Sequence, residues 1–135
     1  MTQKEFIKIL DEKKYSYEIE GNKIIVTHKG DSWLTSLTSI PAGVVFNNGG
    51  EVDLRGLTSI SPSVEFNNKG YVCLDSLTYL PTGMEFRNEG NVFLKSLVRV
   101  SGLREGRFIN WDGNIDGIDN KRLLNLMISK GLFER

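Results

Sequence analysis

A period of twenty residues runs through the middle of this 135-residue chain without an insertion. Glycine, leucine, phenylalanine and asparagine return at fixed places in each unit. These places are Gly30, Gly50, Gly70 and Gly90; Leu34, Leu54, Leu74 and Leu94; Leu37, Leu57, Leu77 and Leu97; Phe46, Phe66 and Phe86; and Asn48, Asn68 and Asn88. An uninterrupted period of this length is typical of solenoids, in which coils stack and equivalent side chains form ladders. We therefore expect function on a stacked surface and not in a pocket between domains.

Apolar residues alternate at two places within each unit, which predicts two short strands per coil. Val52 and Leu54 form the first alternating pair, and Val64 and Phe66 form the second. We expect the glycine that opens each unit to form a tight bend between these strands. The asparagine of each unit is expected in a buried ladder, where its side-chain amide would satisfy backbone groups of the turns.

The N-terminal residues depart from the period and have the pattern of a cap. Thr2 and Glu5 have the spacing of a capping box, and a helical apolar stripe follows, so the sequence predicts a helix over residues 2 to 14. Two alternating segments flank Gly21 and Asn22, which predicts a hairpin with these residues as its turn.

The period fails again after Val100, and a helical pattern of apolar residues begins near residue 120. An uncovered last coil would expose its core and its strand edges, so this segment is expected to cover it. The predicted fold is a mainly β repeat solenoid, in a single domain, of about four twenty-residue coils with two short strands each. Its parts are an N-terminal helix and hairpin cap over 1–29, the repeats over 30–100, and a C-terminal helical cap over 101–135.

Composition and charge exclude several classes of function. Seventeen basic and seventeen acidic residues cancel, which argues against a general electrostatic grip on nucleic acid and against an acidic DNA mimic. The one cysteine, Cys73, lies at an outward position of its unit and cannot form an internal disulfide, which is typical of a reducing compartment. Residues 1–10 are too charged for a signal peptide, and no apolar run has the length of a membrane span. We expect a cytoplasmic protein without a membrane partner.

The segment LTSIPAGV at residues 37–44 resembles the repeats of small proteins encoded by bacteriophages and prophages. The segments 34–41, 54–60 and 74–81 resemble the same L-x-x-L-T-x-L-P frame of leucine-rich-repeat-like proteins. This resemblance implies a binding scaffold without chemistry of its own. It also implies a host protein as partner, including proteins of host defence systems, and therefore the cytoplasm of the host cell as the location.

The units differ from one another chiefly at the outward positions beside the Val52-type strand. Aromatic residues occur there among charges of both signs, which are the residue types typical of protein interfaces. An alternative is that the aromatic residues of the first and last units, Trp33 and Phe93, pack beneath the terminal caps. The predicted partner-binding residues are Trp33, Asp53, Arg55, Tyr71, Asp75, Phe93 and Lys95.

No pattern in the chain predicts catalysis, a cofactor or a metal centre. The only histidine, His28, occupies the place of Asn48 in its unit and is expected to substitute structurally in that ladder. Residues 112–117, DGNIDG, match the first half of an EF-hand calcium loop, but Leu123 stands where the twelfth position needs a glutamate. The glycines follow the coil period and lack the Lys-Ser/Thr ending of a phosphate-binding loop.

The sequence thus predicts a non-catalytic protein–protein interaction solenoid, a phage or prophage accessory protein that binds and inhibits a host protein. The alternative is a structural or self-associating repeat protein without an inhibitory role. We expect a monomer or a weak homodimer. An enzyme would instead require a deep cleft with perturbed ionisable groups.

Overall fold

The computed structural model describes residues 1–81, 84–96, 99–100 and 115–116. Within these ranges the fold is mostly β, with one helix at the N-terminus. The elements in chain order are α1 (Gln3–Lys13), β1 (Tyr17–Glu20), β2 (Lys23–Val26), β3 (Ser32–Trp33), β4 (Val44–Phe46), β5 (Val52–Asp53), β6 (Glu65–Phe66), β7 (Val72–Cys73), β8 (Tyr79–Leu80), β9 (Glu85–Phe86), β10 (Val92–Phe93), β11 (Arg99–Val100) and β12 (Ile115–Asp116).

The predicted N-terminal helix is confirmed, with its capping box. The Thr2 hydroxyl accepts a hydrogen bond from the Glu5 backbone at 3.1 Å, and the Glu5 carboxylate accepts one from the Thr2 backbone at 3.3 Å. Lys14 ends the helix in the left-handed conformation, at φ 60°. The apolar stripe buries Phe6 and Leu10 completely, so the helix is fixed by packing as well as by its cap.

The predicted hairpin is also confirmed, as an antiparallel pair of β1 and β2. Its register runs from Tyr17 opposite Val26 to Glu20 opposite Lys23, which leaves a two-residue turn. Gly21 has a φ of +59° there, a conformation that glycine adopts without strain. The Tyr17 hydroxyl donates a 2.9 Å hydrogen bond to the Asp11 carboxylate of α1, which ties the hairpin to the helix.

Within the described ranges, the strands form two five-stranded sheets and a two-stranded sheet. The first sheet has the order β1-β2-β4-β6-β9 and the second has the order β3-β5-β7-β10-β12. All pairs except β1 with β2 are parallel, and most join residues twenty positions apart, as Val52 with Val72. The last pair differs, because Val92 pairs with Ile115, twenty-three positions later. Parallel pairing therefore reaches into the segment that the sequence assigned to the C-terminal cap.

A third strand position is the main departure from the two strands predicted for each unit. Residues Tyr79 and Leu80 form β8, which pairs with β11 in the two-stranded sheet. Leu80 precedes Pro81, and the proline ring disfavours a helical conformation for the residue before it. The Leu80 side chain is buried in the core, which holds this extended segment in place. The predicted C-terminal helix lies outside the described residues.

One cluster of buried apolar side chains joins α1 to both large sheets. The predicted ladders are present in it. The rings of Phe46, Phe66 and Phe86 stack, with centroids 5.4 and 5.3 Å apart and planes within 10°. Leu54 and Leu74, like Leu94, are fully buried. The core is therefore built from equivalent residues of successive units.

The glycines that open the units lie in bends, as predicted, but close approach of the backbone is what requires glycine there. Positive φ among the described glycines occurs at Gly21 and Gly43, not at these positions. A Cβ on Gly70 would lie 2.8 Å from the Glu51 backbone nitrogen, and one on Gly90 would lie 2.6 Å from the corresponding nitrogen of Tyr71. These glycines are required because the backbone of the preceding unit passes too close for a side chain.

The predicted asparagine ladder is confirmed. The Asn68 side-chain nitrogen donates to the carbonyls of Gly50 at 3.0 Å, Gly70 at 3.0 Å and Tyr71 at 3.1 Å. The equivalent asparagines make corresponding bonds to the opening turn of their own unit and to that of the next unit. Since Gly50 opens the unit that contains Asn68 and Gly70 opens the next one, each amide joins two successive turns. The ladder members are Asn48, Asn68 and Asn88, all with exposures of 1% or less.

Candidate protein-binding face

The alternation of β5 directs the variable residues outward. Val52 and Leu54 are fully buried in the core, so Asp53 and Arg55 lie on the opposite side of the strand. Neighbouring parallel strands are about 4.8 Å apart, and their pairing places residues twenty positions apart side by side. The seven predicted partner-binding residues therefore share one side of the second sheet. We call this set the variable face: Trp33, Asp53, Arg55, Tyr71, Asp75, Phe93 and Lys95.

Trp33 is the most exposed aromatic anchor of the variable face, at 57%. It lies on β3, the edge strand of its sheet, and its backbone nitrogen donates to the Tyr15 hydroxyl at 3.3 Å. The N-terminal segment thus contacts the Trp33 backbone but leaves more than half of the residue's surface exposed. The alternative that Trp33 packs beneath the N-terminal segment is therefore wrong, and its indole is available for contact.

Tyr71, which directly precedes β7, forms an aromatic pair with Phe93 of the adjacent strand β10. Their rings meet edge to face, with centroids 5.3 Å apart and planes at 80°, and both residues are half-buried. Burial, together with a hydrogen bond to Glu51, raises the pKa of Tyr71 to about 12. The Tyr71 phenol is therefore neutral at physiological pH. The pair is a second, more rigid anchor on the same face as Trp33.

Asp53 is buried, with 3% exposure, which corrects its predicted place among the exposed contact residues. Its Oδ1 accepts hydrogen bonds from the Arg55 backbone at 3.2 Å and from Arg55 Nε at 3.0 Å. Its Oδ2 accepts from Arg55 Nε at 3.1 Å and also from Nη2. The short carboxylate lies beneath the longer Arg55 side chain, which is 61% exposed. Arg55, and not Asp53, is thus available to a partner.

Asp75 has a structural use that the sequence did not indicate. Its Oδ1 accepts a hydrogen bond from the Lys95 backbone at 3.2 Å, twenty positions along the chain. Asp31 accepts in the same way from the Glu51 backbone, at 2.8 Å. Both carboxylates thus connect neighbouring units through backbone groups. Lys95 is exposed, and Asp75 is half-buried.

Cys73 is buried at 7% exposure, although its column of the unit was expected to face outward. Burial raises the pKa of its thiol to about 11. The thiol is therefore protonated at physiological pH, and a nucleophilic role has no support from its surroundings.

His28 lies beside Asn48, as the register of β2 and β4 requires, but it makes different contacts. Its ring stacks on Tyr15, with centroids 4.3 Å apart and planes 3° apart. Its Nε2 lies 2.8 Å from the Ser32 hydroxyl oxygen, and Ser32 is fully buried. His28 therefore joins the N-terminal segment to β3 and supports the strand that carries Trp33.

Because His28 is half-buried, we expect the free energy of unfolding to depend on pH. Burial lowers the pKa of His28 below its ordinary 6.5, and the charge of Asp31 partly opposes this effect. The unfolded chain therefore takes up a proton at a higher pH than the folded chain. The contribution of neutral His28 to the free energy of unfolding is complete above about pH 6.5. It falls as the pH decreases toward the folded-state pKa of His28.

Urea unfolding between pH 5.5 and 7.5 measures this dependence. The variant His28→Asn places the residue type of the asparagine ladder at the same position and removes the titrating group. We expect the wild type to lose stability toward pH 5.5 and the variant to lose less. Equal slopes in the two proteins would show that His28 is not the responsible group.

The described residues hold no group of three or more His, Cys, Asp or Glu side chains that could bind a metal ion. Of the calcium-loop segment, the structure describes Ile115 and Asp116, which form β12. In the described part of the chain, no helix is long and apolar enough to cross a membrane.

Comparison with known proteins gives no indication of function. No family model, curated protein or solved structure matches the chain significantly. The resemblance of residues 37–44 to phage repeats stays a prediction from sequence. The variable face is therefore the main guide to function.

Proposed function

We propose that this chain is a non-catalytic repeat solenoid whose variable face binds another protein. The observation that carries this proposal is an indole exposed by 57%, Trp33, on the same face as the Tyr71–Phe93 pair and the exposed guanidinium of Arg55. Tryptophan, tyrosine and arginine are the residue types that dominate binding energy at protein interfaces.

The solenoid part of the proposal is supported by the strand register. Both large sheets pair residues twenty positions apart, and the phenylalanines and asparagines of successive units stack on one another. Each unit alone has too few apolar residues to offset the entropy of ordering twenty residues. Coils that stack would supply the missing burial and leave their variable positions on a continuous outer surface.

The partner that we propose is a host protein, bound and inhibited by a phage or prophage accessory protein. The support is the resemblance of the LTSIPAGV segment at 37–44 to phage repeat proteins. A surface with aromatic anchors can inhibit by covering the partner's own functional surface, without chemistry. The proposed location is the host cytoplasm, for which a single protonated thiol at Cys73 is suitable.

A second candidate function is self-association, and one observation favours it. Ile19 is 58% exposed on β1, the edge strand of the first sheet. The exposed Glu18 and Glu20 flank it, and charges on an edge strand oppose the pairing of two such edges. Sedimentation at increasing concentration distinguishes the two candidates, because a constant monomer mass excludes self-association.

The variant Trp33→Ala should weaken partner binding at least tenfold, because the exposed indole supplies the largest apolar contact of the face. The measurement begins with capture from a bacterial host lysate and identification of the bound protein by mass spectrometry. The dissociation constant of the purified pair is then compared for wild type and variant. Ile19→Ala is the matched control, since Ile19 has nearly the same exposure but lies on the other large sheet.

The control variant should bind as the wild type does. Equal affinity of Trp33→Ala and wild type would remove the variable face as the binding surface. Loss of binding in Ile19→Ala alone would show that the partner binds at β1 and not at the variable face.

A further inference from the structure

An ion pair lies in the centre of the variable face. Asp53 and Arg55 are joined through two carboxylate oxygens and two guanidinium nitrogens, with Nε at 3.0 and 3.1 Å. The carboxylate is buried and the guanidinium is largely exposed. Trp33 is paired directly with Asp53 on one side, and Cys73 is paired with it on the other. The pair therefore separates Trp33 from the Tyr71–Phe93 anchor.

We infer that Asp53 is a positioning residue that neutralises and holds Arg55, so that the centre of the face selects an aromatic side chain of the partner over an acidic one. This inference rests on the proposed protein-binding function of the variable face. Asp53 itself does not touch the partner, because its side chain is 5% exposed beneath Arg55.

The charges support this selectivity. Every oxygen of the Asp53 carboxylate already accepts a hydrogen bond from Arg55, so the pair makes no demand for a further counter-ion. A partner carboxylate on Arg55 would compete with Asp53 and would also meet Glu51 and Asp75 on the adjoining positions. An aromatic ring carries no net charge, so these carboxylates do not repel it, and its face attracts the guanidinium that Asp53 holds in place.

The neighbours of Arg55 also suit an aromatic ring. Strand spacing places Trp33 about 5 Å from Asp53 on one side. It places Phe93 about 10 Å from Asp53 on the other side. A ring between them would contact Arg55 with apolar surface on both sides. The aromatic enrichment of interface centres follows from the same combination of apolar area and cation contact.

Side-chain mimics test this inference without the natural partner. The probes are 4-methylphenol for tyrosine, propionate for glutamate and n-butylammonium for lysine, each titrated into ¹⁵N-labelled protein. The readouts are the Trp33 indole signal, the Arg55 Nε signal and the backbone amides of β5 and β7. We expect 4-methylphenol to shift these signals at lower concentration than either charged probe.

The variant Asp53→Asn keeps the size of the side chain but removes the counter-charge of Arg55. We expect its affinity for 4-methylphenol to fall roughly three- to fivefold, because the guanidinium is no longer held in place, and propionate to gain a response at the Arg55 Nε signal. A loss of structure alone would not produce that gain. Glu18→Gln is the matched control, because it removes an exposed carboxylate on β1 of the other large sheet, and it should keep the wild-type order of probes.

If Asp53→Asn does not fold, Arg55→Lys gives the second test. Lysine keeps the charge but cannot make the two-atom contact with Asp53, and it should lower the 4-methylphenol response while leaving the Trp33 backbone signals in place. Stronger binding of propionate than of 4-methylphenol to the wild type would overturn the inference. That result would leave the proposed function intact if Trp33→Ala still loses the protein partner, whereas capture insensitive to Trp33 would remove the proposed function itself.

Discussion

Replacing Asn68 by alanine should lower the free energy of unfolding by about 1 to 3 kcal/mol. The side-chain nitrogen donates to the carbonyls of Gly50, Gly70 and Tyr71, and Asn68 is fully buried between two turns. Each carbonyl keeps a second donor, which is the Gly70 nitrogen for Gly50, the Asn88 side chain for Gly70 and the Val52 nitrogen for Tyr71. The expected loss is therefore that of the amide's own hydrogen bonds, at about 0.5 to 1.5 kcal/mol each. Because Gly70 and Tyr71 belong to the next unit, the substitution also removes a link between units.

Asn67→Ala is the matched control for this prediction. The neighbouring side chain is exposed, and the backbone nitrogen of Asn67 donates to the Phe46 carbonyl whatever its side chain is. We expect its effect to stay within about 0.5 kcal/mol. Urea unfolding followed by circular dichroism measures both variants, and similar midpoints for the two would show that the ladder does not stabilise the fold.

Replacing Gly70 by alanine should destabilise the protein by about 2 to 3 kcal/mol. The new Cβ would lie 2.8 Å from the Glu51 nitrogen and from the Gly50 carbonyl carbon, and 3.0 Å from the Glu51 Cα. All three are backbone atoms, which cannot rotate away as a flexible side chain can. The two units would have to separate locally, at the cost of the hydrogen bond from Gly70 to the Gly50 carbonyl, at 3.0 Å.

Gly30→Ala tests whether close approach is the cause. Gly30 occupies the same place in the first unit, but the nearest atom to its Cβ is the His28 Nδ1 at 3.8 Å, an ordinary contact. Alanine also reduces the entropy of the unfolded chain, by roughly 0.4 to 1 kcal/mol. We expect Gly30→Ala to be neutral or slightly stabilising. Equal destabilisation of both variants would show that close approach is not the reason for these glycines.

The N-terminal elements were predictable because their signals are local. The capping box of Thr2 and Glu5 and the two-residue turn at Gly21 depend on residues a few positions apart. Such patterns have the same physical meaning in any chain. The buried ladders were predictable for a related reason, since a period of twenty places equivalent residues in equivalent surroundings.

The third strand position and the register of β12 were not predictable. Leu80 and Val100 share the slot of Ile40 and Ile60, and the pattern alone does not distinguish an extended segment there from a turn. The pairing of β10 with β12 joins residues twenty-three positions apart, beyond the point where the repeat is readable. Both features depend on contacts between distant parts of the chain.

The membership of the variable face followed from sequence, but the roles of its members did not. Alternation along β5 and the twenty-residue spacing placed all seven residues on one side of a sheet. They could not show that Asp53 is covered by Arg55, that Asp75 accepts from the Lys95 backbone, or that Trp33 stays uncovered. The exposure of a side chain depends on the size and position of its neighbours in space, and a linear pattern does not specify these.

The sequence by itself determined which residues are equivalent, because with a fixed period residues twenty positions apart occupy equivalent places in the fold. Only the tertiary structure decided how closely those equivalent residues approach. The distance between neighbouring backbones makes Gly70 obligatory and Gly30 tolerant, and the length of the Arg55 side chain covers Asp53. Both effects arise from excluded volume between residues on different strands, which becomes definite only when the strands are in place.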